Sequence, residues 1–227
     1  MTRGEQYLSN IGNKFHQDGS VRAFPGNTVI SFIDHHAPIF ELFCAVRQML
    51  RESAAGRCFT FLPDDSIHMT VFEGVCDQWR GQEVWTKLLA TDAPLKAVDQ
   101  LFEERFAKAE KLGQVRMRAV GVKNGGGYGI ALEPCTNEDA ARLEAYRDAM
   151  SELFCMRFPN HDDYRFHISI CYGVFPPDQA QEAALDRFER EADAFIAAQG
   201  IEFDVAEPSM TYFRNMFAFE TERFERT

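Results

Sequence analysis

Two short motifs in the sequence each place a histidine two residues before a hydroxyl side chain. The first is His68-Met69-Thr70 and the second is His167-Ile168-Ser169. Because the unperturbed pKa of histidine lies near neutrality, a pair of histidines can serve as general base and general acid in one reaction. Displacement at phosphorus needs a proton taken from the attacking oxygen and another given to the leaving oxygen, and hydroxyl donors can stabilise charge on the other phosphate oxygens. The motifs therefore indicate cleavage of a phosphodiester, by a scheme that needs no metal.

The residues around each motif predict that both histidines lie on strands. Side chains alternate between the two faces of a strand, so the histidine and the hydroxyl of each motif share one face. The opposite face is apolar in both segments, with Ile67, Met69 and Val71 in the first and Phe166, Ile168 and Ile170 in the second. Two such strands would hold two imidazoles and two hydroxyls around one cleft. The alternative is a pair of half-buried structural histidines bonded to the backbone.

Both motifs fall on the last strand of a predicted strand–helix–strand unit. The elements of the first unit are expected at 28–33, 38–56 and 66–72, and those of the second at 128–133, 137–154 and 164–174. A shift of 99 residues lays His68 on His167, and both segments continue to Gly-Val. Self-similarity at a long period is typical of duplicated architecture. We therefore predict one two-lobed domain, 1–227, with repeat units at about 28–75 and 128–174.

The rest of the pattern predicts further helices and strands around these units. A long amphipathic helix is expected at 94–112, a strand at 115–122, a helix at 178–199 and a final strand at 210–219. These elements would complete a mixed α+β domain.

The composition limits the classes of partner. The chain has 227 residues, 45% of them hydrophobic, and a formal net charge of −11. Enough apolar residue is present for a packed core, whereas tight binding to duplex DNA normally requires a basic face. Net charge says little about a single cleft, so a small basic pocket for one or two phosphates is compatible with these numbers.

The sequence favours the cytoplasm as the location. The first 13 residues lack the apolar run of a signal peptide, and no stretch is long enough to cross a bilayer. Six cysteines occur at irregular spacing without a C-x-x-C pair, which is typical of reduced thiols rather than of a disulfide framework or a zinc knuckle. We expect a monomer without a membrane contact.

The paired motifs resemble those of the two-histidine (2H) phosphoesterase superfamily, which includes bacterial RNA 2′,3′-cyclic phosphodiesterases. The phrases Phe24-Pro25-Gly26-Asn27-Thr28, His68-Met69-Thr70-Val71-Phe72-Glu73-Gly74 and Tyr164-Arg165-Phe166-His167 look more specifically like a bacterial branch whose substrates are not established. The resemblance spans roughly 28–219. It implies a duplicated α+β fold with pseudo-twofold symmetry, in which mainly antiparallel sheets face a central cleft and helices lie outside.

The resemblance also implies roles for individual residues. His68 and His167 would be the acid–base pair, and Thr70 and Ser169 the hydroxyls that bind phosphate, without a cofactor or a metal. Serine in place of threonine in the second motif keeps the hydroxyl, whereas the long helical insert at 94–112 departs from the smallest members.

Two further residues are candidates for contact with the substrate. Arg165 shares a predicted face with His167 and could contact a phosphate, or form a surface ion pair instead. Tyr212, near the end of a strand, could stack on a nucleotide or belong to the core or rim.

Several other features imitate known sites. Asp34-His35-His36 follows a strand as in the metal site of the DHH phosphoesterases, but the chain before it is too short to supply the other acidic ligands. His161-Asp162 lacks the other ligands of a histidine–aspartate hydrolase. Gly125-Gly126-Gly127 lacks the Lys-Ser/Thr ending of a phosphate-binding loop and reads as a turn. Cys171 shares the histidine face without a sign of activation.

We therefore predict a metal-independent phosphoesterase that hydrolyses or ligates a phosphodiester or cyclic phosphate of a nucleotide or RNA end. The alternative is a binding module that holds a phosphorylated metabolite or RNA end without turnover. A metal-dependent hydrolase at Asp34-His35-His36 is a third possibility. The sequence leaves open which histidine is the acid and which is the base.

Overall fold

The alternation of apolar and polar residues around both histidines appears in the computed structural model, which describes residues 1–224. Met69 and Val71 on one strand and Ile168 and Ile170 on the other are fully buried, while the histidines and hydroxyls between them are partly exposed. One face of each strand therefore belongs to the core, as predicted, and the opposite face is open for a site.

The helices and strands, in chain order, have the following bounds. The helices are α1 (Arg3–Leu8), α2 (Pro38–Glu52), α3 (Leu95–Phe106), α4 (Asn137–Phe154) and α5 (Gln179–Gln199). The strands are β1 (Gly26–Phe32), β2 (Phe59–Phe61), β3 (His68–Cys76), β4 (Arg116–Asn124), β5 (Gly127–Pro134), β6 (His167–Gly173), β7 (Glu202–Asp204), β8 (Ser209–Asn215) and β9 (Ala218–Glu220).

Throughout residues 1–224 the strands join one antiparallel sheet in the order β7-β4-β5-β6-β3-β1-β8-β9, and β2 pairs with β6 beside this path. The predicted mixed α+β class with antiparallel pairing is confirmed. β3 and β6 are neighbours at the centre, with β1 beyond β3 and β5 beyond β6. In both strand–helix–strand segments, β1–α2–β3 and β5–α4–β6, the two strands are thus direct neighbours.

The helices begin where their local chemistry predicts. α2 opens on Pro38, whose fixed backbone angle suits the first helical position. α4 opens with a capping box, in which the Thr136 hydroxyl and the Asp139 side chain each accept the other residue's backbone N–H. α4 therefore occupies the predicted range, 137–154.

The helix predicted at 94–112 is too long at its C-terminal end, because α3 ends at Phe106. The apolar spacing continues to Leu112, which is buried, but the backbone N–H of Leu112 donates to the Glu207 carboxylate at 2.9 Å rather than to a helical carbonyl. Apolar periodicity alone cannot distinguish these two ways of burying a leucine.

The single strand predicted at 210–219 is wrong, because the segment forms a hairpin of β8 and β9. The side chain of Asn215 accepts the backbone N–H of Phe217 at 2.8 Å, a local bond that turns the chain. The turn residues Met216 and Phe217 are apolar, and this concealed the turn in the sequence.

The main core lies between the sheet and the helices and contains the apolar face of the two histidine strands. A second, smaller cluster includes Phe15 and Phe24 from the N-terminal segment and Phe213 and Met216 from the β8–β9 hairpin. Within the described residues, no helix is both long and apolar enough to span a bilayer.

Candidate active site

The pairing of β3 with β6 brings the two motifs together. Met69 pairs with Ile168 in antiparallel register. Since antiparallel neighbours run in opposite order, His68 lies opposite Ser169 and Thr70 lies opposite His167. Side chains that face each other across such a pair have Cβ atoms about 4.5–5.5 Å apart. The hydroxyl of each motif therefore lies beside the histidine of the other motif, on one face of the sheet.

Both imidazoles are oriented by the same backbone contact. Nδ1 of His68 lies 2.7 Å from the carbonyl oxygen of Ser66, and Nδ1 of His167 lies 2.9 Å from the carbonyl oxygen of Arg165. A carbonyl can only accept, so each Nδ1 carries the proton. In the neutral ring this leaves Nε2 as the proton acceptor, which a base requires, and as the donor once the ring is protonated.

The four motif residues line one cleft of about 450 Å³. Its polar lining adds Lys14, Glu73, Lys123, Asn160 and Tyr164, and its aromatic lining comprises Phe24, Trp79, Phe158, Tyr172, Phe213 and Phe219. Such a mixture of a few polar groups with apolar walls is typical of small-molecule sites. The aromatic wall is largely the second cluster of the fold.

Asn27 and Gly74, from two of the phrases that carry the family resemblance, meet in the β1–β3 pair. The buried Asn27 side chain donates to the Asp99 carboxylate at 2.7 Å and accepts the N–H of Val75 at 3.1 Å. A side chain on Gly74 would lie 2.2 Å from the backbone oxygen of Asn27, so only glycine fits this close approach. These contacts fix the end of β3 beyond the histidine.

The surroundings of the two Nε2 atoms differ. The Lys123 ammonium lies 3.0 Å from Nε2 of His167, and since Lys123 can only donate, it donates to the unprotonated nitrogen. The ring of His68 instead packs edge-on against Phe219, with the ring centroids 4.2 Å apart. One imidazole thus faces a cation and the other an aromatic wall.

Burial lowers the pKa of both histidines to about 4. For His167 this value includes a lowering by the Lys123 ammonium and smaller ones by His68 and Lys14, against a rise from the hydrogen bond to the Arg165 carbonyl. Loss of solvation disfavours the charged imidazolium, and a nearby cation adds repulsion. In the free protein both rings are therefore neutral at pH 7, and protonation of either one requires an anion in the cleft.

The Thr70 hydroxyl lies beside Tyr164, whose phenol it affects electrostatically. Burial raises the pKa of Tyr164, so its phenol stays protonated at neutral pH. The ring of Tyr164 lies over the buried Arg147 guanidinium, 4.1 Å from centroid to Cζ, and Arg147 donates to the carbonyl of Val71 at 2.6 Å. Tyr164 is thus held rigidly beside the first motif.

The two predicted substrate contacts lie elsewhere. The exposed Arg165 lines a neighbouring groove of about 620 Å³ and touches the site through its carbonyl, which accepts from His167. Tyr212 is 1% exposed and packs in the main core, whereas the next residue, Phe213, lines the cleft. Neither the Arg165 nor the Tyr212 side chain is among the residues that line the histidine cleft.

Lys123 and Lys14 are the two basic residues of the cleft that sequence reasoning missed. Lys123 is the last residue but one of β4, before the glycine turn, and Lys14 lies in an N-terminal segment with no recognisable pattern. A lysine at a strand end is ordinarily a solvated residue, so only the pairing of β4 with β5 and of β5 with β6 reveals its position.

The competing features have local roles. The His35 ring stacks on Phe40 with a centroid distance of 4.3 Å, and its Nε2 lies 3.2 Å from the carbonyl oxygen of Asp64. His161 is buried and contacts the Asp148 carboxylate at 3.0 Å. Among residues 1–224 no group of three or more histidine, cysteine or acidic side chains is arranged to hold a metal ion. The glycines at 125–127 connect β4 and β5 as a turn, and burial raises the pKa of the Cys171 thiol.

The comparisons with known proteins include a family model that covers the first of the two motifs. The family model 2H-phosphodiest, described as "Domain of unknown function (DUF1868)", matches residues 14–127, which include His68 and Thr70. The chain belongs to this family, and thereby to the 2H phosphoesterase superfamily. The family description leaves the substrate open.

A solved structure with the same fold is that of a conserved protein of unknown function from Agrobacterium tumefaciens. It superposes with a TM-score of 0.82 at 26% sequence identity, over 93% of this chain and 90% of that one. No functionally curated protein matches the chain significantly.

Proposed function

We propose that this protein is a metal-independent phosphoesterase that hydrolyses, or in reverse ligates, a phosphodiester or cyclic phosphate of a nucleotide or RNA end. The observation that carries the proposal is the matched pair of half-sites on β3 and β6. Each half-site has an imidazole held by a carbonyl two residues earlier, and the hydroxyl of the other motif lies beside it. Family membership supports phosphoester chemistry.

In the proposed reaction the phosphate lies between the imidazoles, and the hydroxyls of Thr70 and Ser169 donate to its non-bridging oxygens. One imidazole takes a proton from water as the water oxygen bonds to phosphorus. The other gives its proton to the departing ribose oxygen as the P–O bond breaks. The groups that move protons and stabilise charge are thus all side chains of this chain.

We assign the role of base to His167 and that of acid to His68. The Lys123 ammonium keeps Nε2 of His167 unprotonated, which is the state a base needs before the reaction. His68 has an aromatic neighbour instead of a cation, so an incoming anionic phosphate stabilises its protonated form more easily. On phosphate binding, Lys123 would turn from His167 to the phosphate and release the lone pair of Nε2.

We also propose that β1–α2–β3 and β5–α4–β6 are copies of one duplicated unit, related by a pseudo-twofold axis between β3 and β6, within one two-lobed domain, 1–227. The equivalent strand neighbours and the equivalent histidine contacts support this reading. A monomeric state and a cytoplasmic location complete the proposal.

The test is turnover in the presence of a chelator. Purified protein is incubated with nucleoside 2′,3′-cyclic phosphates, 2′–5′-linked oligonucleotides and ADP-ribose cyclic phosphate, and the products are resolved by chromatography. We expect one class to be converted by the wild type and left intact by the His68→Ala, His167→Ala double variant. Activity that survives in the double variant contradicts the proposal, and a ligand that binds but stays intact favours the binding module.

A further inference from the structure

A smaller pocket of about 160 Å³ adjoins the histidine cleft. We call it the side pocket, and it is lined by Lys14, Lys123, Tyr172, the motif residues His167 and Ser169, and backbone around 125–129. Lys14 and Lys123 line both spaces, so the side pocket opens onto the cleft at the second half-site. Three glycines, at 125, 127 and 129, line its wall and contribute no side chains that could fill it.

The side pocket is basic in an otherwise acidic protein. The chain has a net charge of −11, yet within residues 1–224 neither Lys14 nor Lys123 has a carboxylate at ion-pair distance. Burial lowers the pKa of Lys123, and the Lys14 ammonium lowers it further, while the Glu73 carboxylate acts in the opposite direction. Two cations that repel each other in a partly buried pocket are stabilised when an anion enters between them.

Aromatic rings hold Lys14 in this position. Its Nζ lies 4.5 Å from the ring centroid of Tyr172 and 5.6 Å from those of Phe24 and Trp79. Ring faces attract an ammonium group without neutralising it, so the charge remains available for an anion. The N-terminal segment therefore delivers a fixed, unneutralised positive charge to the edge of the cleft.

We propose that the side pocket binds a second phosphate of the substrate, so that the ester attacked at the histidine pair carries another phosphate group close to the reacting one. The inference rests on the proposed function because the side pocket shares His167 and Ser169 with the reaction site. The reacting phosphate already has two imidazoles and two hydroxyls around it. Lys14, which lines both the cleft and the side pocket, is therefore available to bind a further anionic group.

Binding of inorganic pyrophosphate and inorganic phosphate, measured by titration calorimetry, tests the proposal without requiring turnover. Pyrophosphate offers two adjacent phosphates, and we expect the wild type to bind it at least about tenfold more tightly than phosphate. Lys14→Met keeps the apolar stem on the aromatic rings and should remove this margin, whereas Lys14→Arg should keep it. Lys108→Met, the same charge change on an exposed lysine outside the cleft, should also keep it. Citrate is a control for the higher charge of pyrophosphate. We expect the affinity for citrate to be the same in the wild type and in Lys14→Met.

The inference is overturned if pyrophosphate binds no more tightly than phosphate, or if Lys14→Met retains the full margin while thermal melting shows a folded protein. The result is separable from that for the proposed function. If pyrophosphate binds more tightly than phosphate in a way that depends on Lys14, but no cyclic phosphate is converted, the side-pocket inference is supported and the catalytic proposal is contradicted. If cyclic phosphate is converted but pyrophosphate binds no more tightly than phosphate, the catalytic proposal is supported and the side-pocket inference is contradicted.

Discussion

The two histidines of the cleft make the same kind of backbone contact but have different surroundings. On both sides Nδ1 of the imidazole faces the carbonyl of the residue two positions earlier, at 2.7 Å for His68 and 2.9 Å for His167. On the second side alone an ammonium, that of Lys123, lies 3.0 Å from Nε2, whereas Phe219 covers the ring on the first side. The difference shows that two strands of similar sequence can place their imidazoles in different electrostatic surroundings.

The asymmetry originates outside the repeated strands. Lys123 comes from β4, which lies between β7 and β5, and Phe219 comes from the β8–β9 hairpin at the other end of the sheet. The carbonyls of Ser66 and Arg165 place the proton of both imidazoles on Nδ1, and the flanking elements set how readily Nε2 takes up a second proton. Under the proposed assignment of His167 as base and His68 as acid, these flanking elements would set the direction of proton transfer.

The largest expected effect comes from removing one histidine at a time. His68→Ala and His167→Ala should each lower kcat for a cyclic phosphate by about 10²–10⁴-fold, the usual contribution of a positioned acid or base. With bis(4-nitrophenyl) phosphate, whose leaving group needs no proton, the loss in His68→Ala should shrink to within about tenfold. The loss in His167→Ala should persist, because the water must still be activated.

His36→Ala is the matched control, since His36 is exposed and is not among the residues that line the histidine cleft. Its kinetics should equal those of the wild type on both substrates. If bis(4-nitrophenyl) phosphate restored kcat in His167→Ala rather than in His68→Ala, our assignment of acid and base would be reversed. If it restored kcat equally in both variants, the assignment would be contradicted.

Removal of the hydroxyls should have the next largest effect. Thr70→Val and Ser169→Ala should each lower kcat by about a hundredfold, because one donor to the developing charge is lost. Thr70→Ser keeps the hydroxyl beside Tyr164 and should keep most of the activity. Steady-state kinetics measure these effects. An unchanged kcat in Thr70→Val would show that the Thr70 hydroxyl does not contact the phosphate.

Replacement of Lys123 should make the two half-sites more alike. Lys123→Met removes the cation at Nε2 of His167, so the pKa of His167 should rise by about one unit while that of His68 stays within a few tenths. Imidazole resonances followed by NMR between pH 3 and pH 8 give both values. Lys108→Met serves as the control for net charge, and equal movement of both pKa values in Lys123→Met would show that the ammonium does not distinguish the histidines.

The smallest expected effect concerns stability. Both histidines have a folded-state pKa of about 4, below the unfolded value of about 6.5, so the unfolded chain binds more protons between these pH values. The free energy of unfolding should therefore fall as the pH is lowered from 6.5 to 4. In His68→Asn the drop between pH 7 and pH 5 should be smaller by about 1 kcal/mol, after allowance for partial exposure. Urea unfolding at the two pH values measures this, and an unchanged drop would mean that His68 titrates normally.

The sequence predicted the features that the two histidine motifs have in common better than the neighbours that distinguish them. Alternation around His68 and His167 is local, so it predicted both strands and both faces. The helix at 137–154 was predicted because its capping residues are adjacent in the chain. Lys123 and Phe219 reach the cleft through strand order, which depends on pairing between distant segments that no local pattern records. The same reason applies to β8, where the sequence does not reveal that Phe213 lines the cleft while Tyr212 is buried, since the register of an interior strand follows from its partners.

The most direct measurement of the central claim is a crystal structure of the protein soaked with inorganic phosphate. We predict one phosphate within hydrogen-bond distance of Nε2 of both His68 and His167, with the hydroxyls of Thr70 and Ser169 on its remaining oxygens. Lys123 should have left His167 for the phosphate. A phosphate bound in another groove, while both imidazoles keep the contacts described above, would contradict the account.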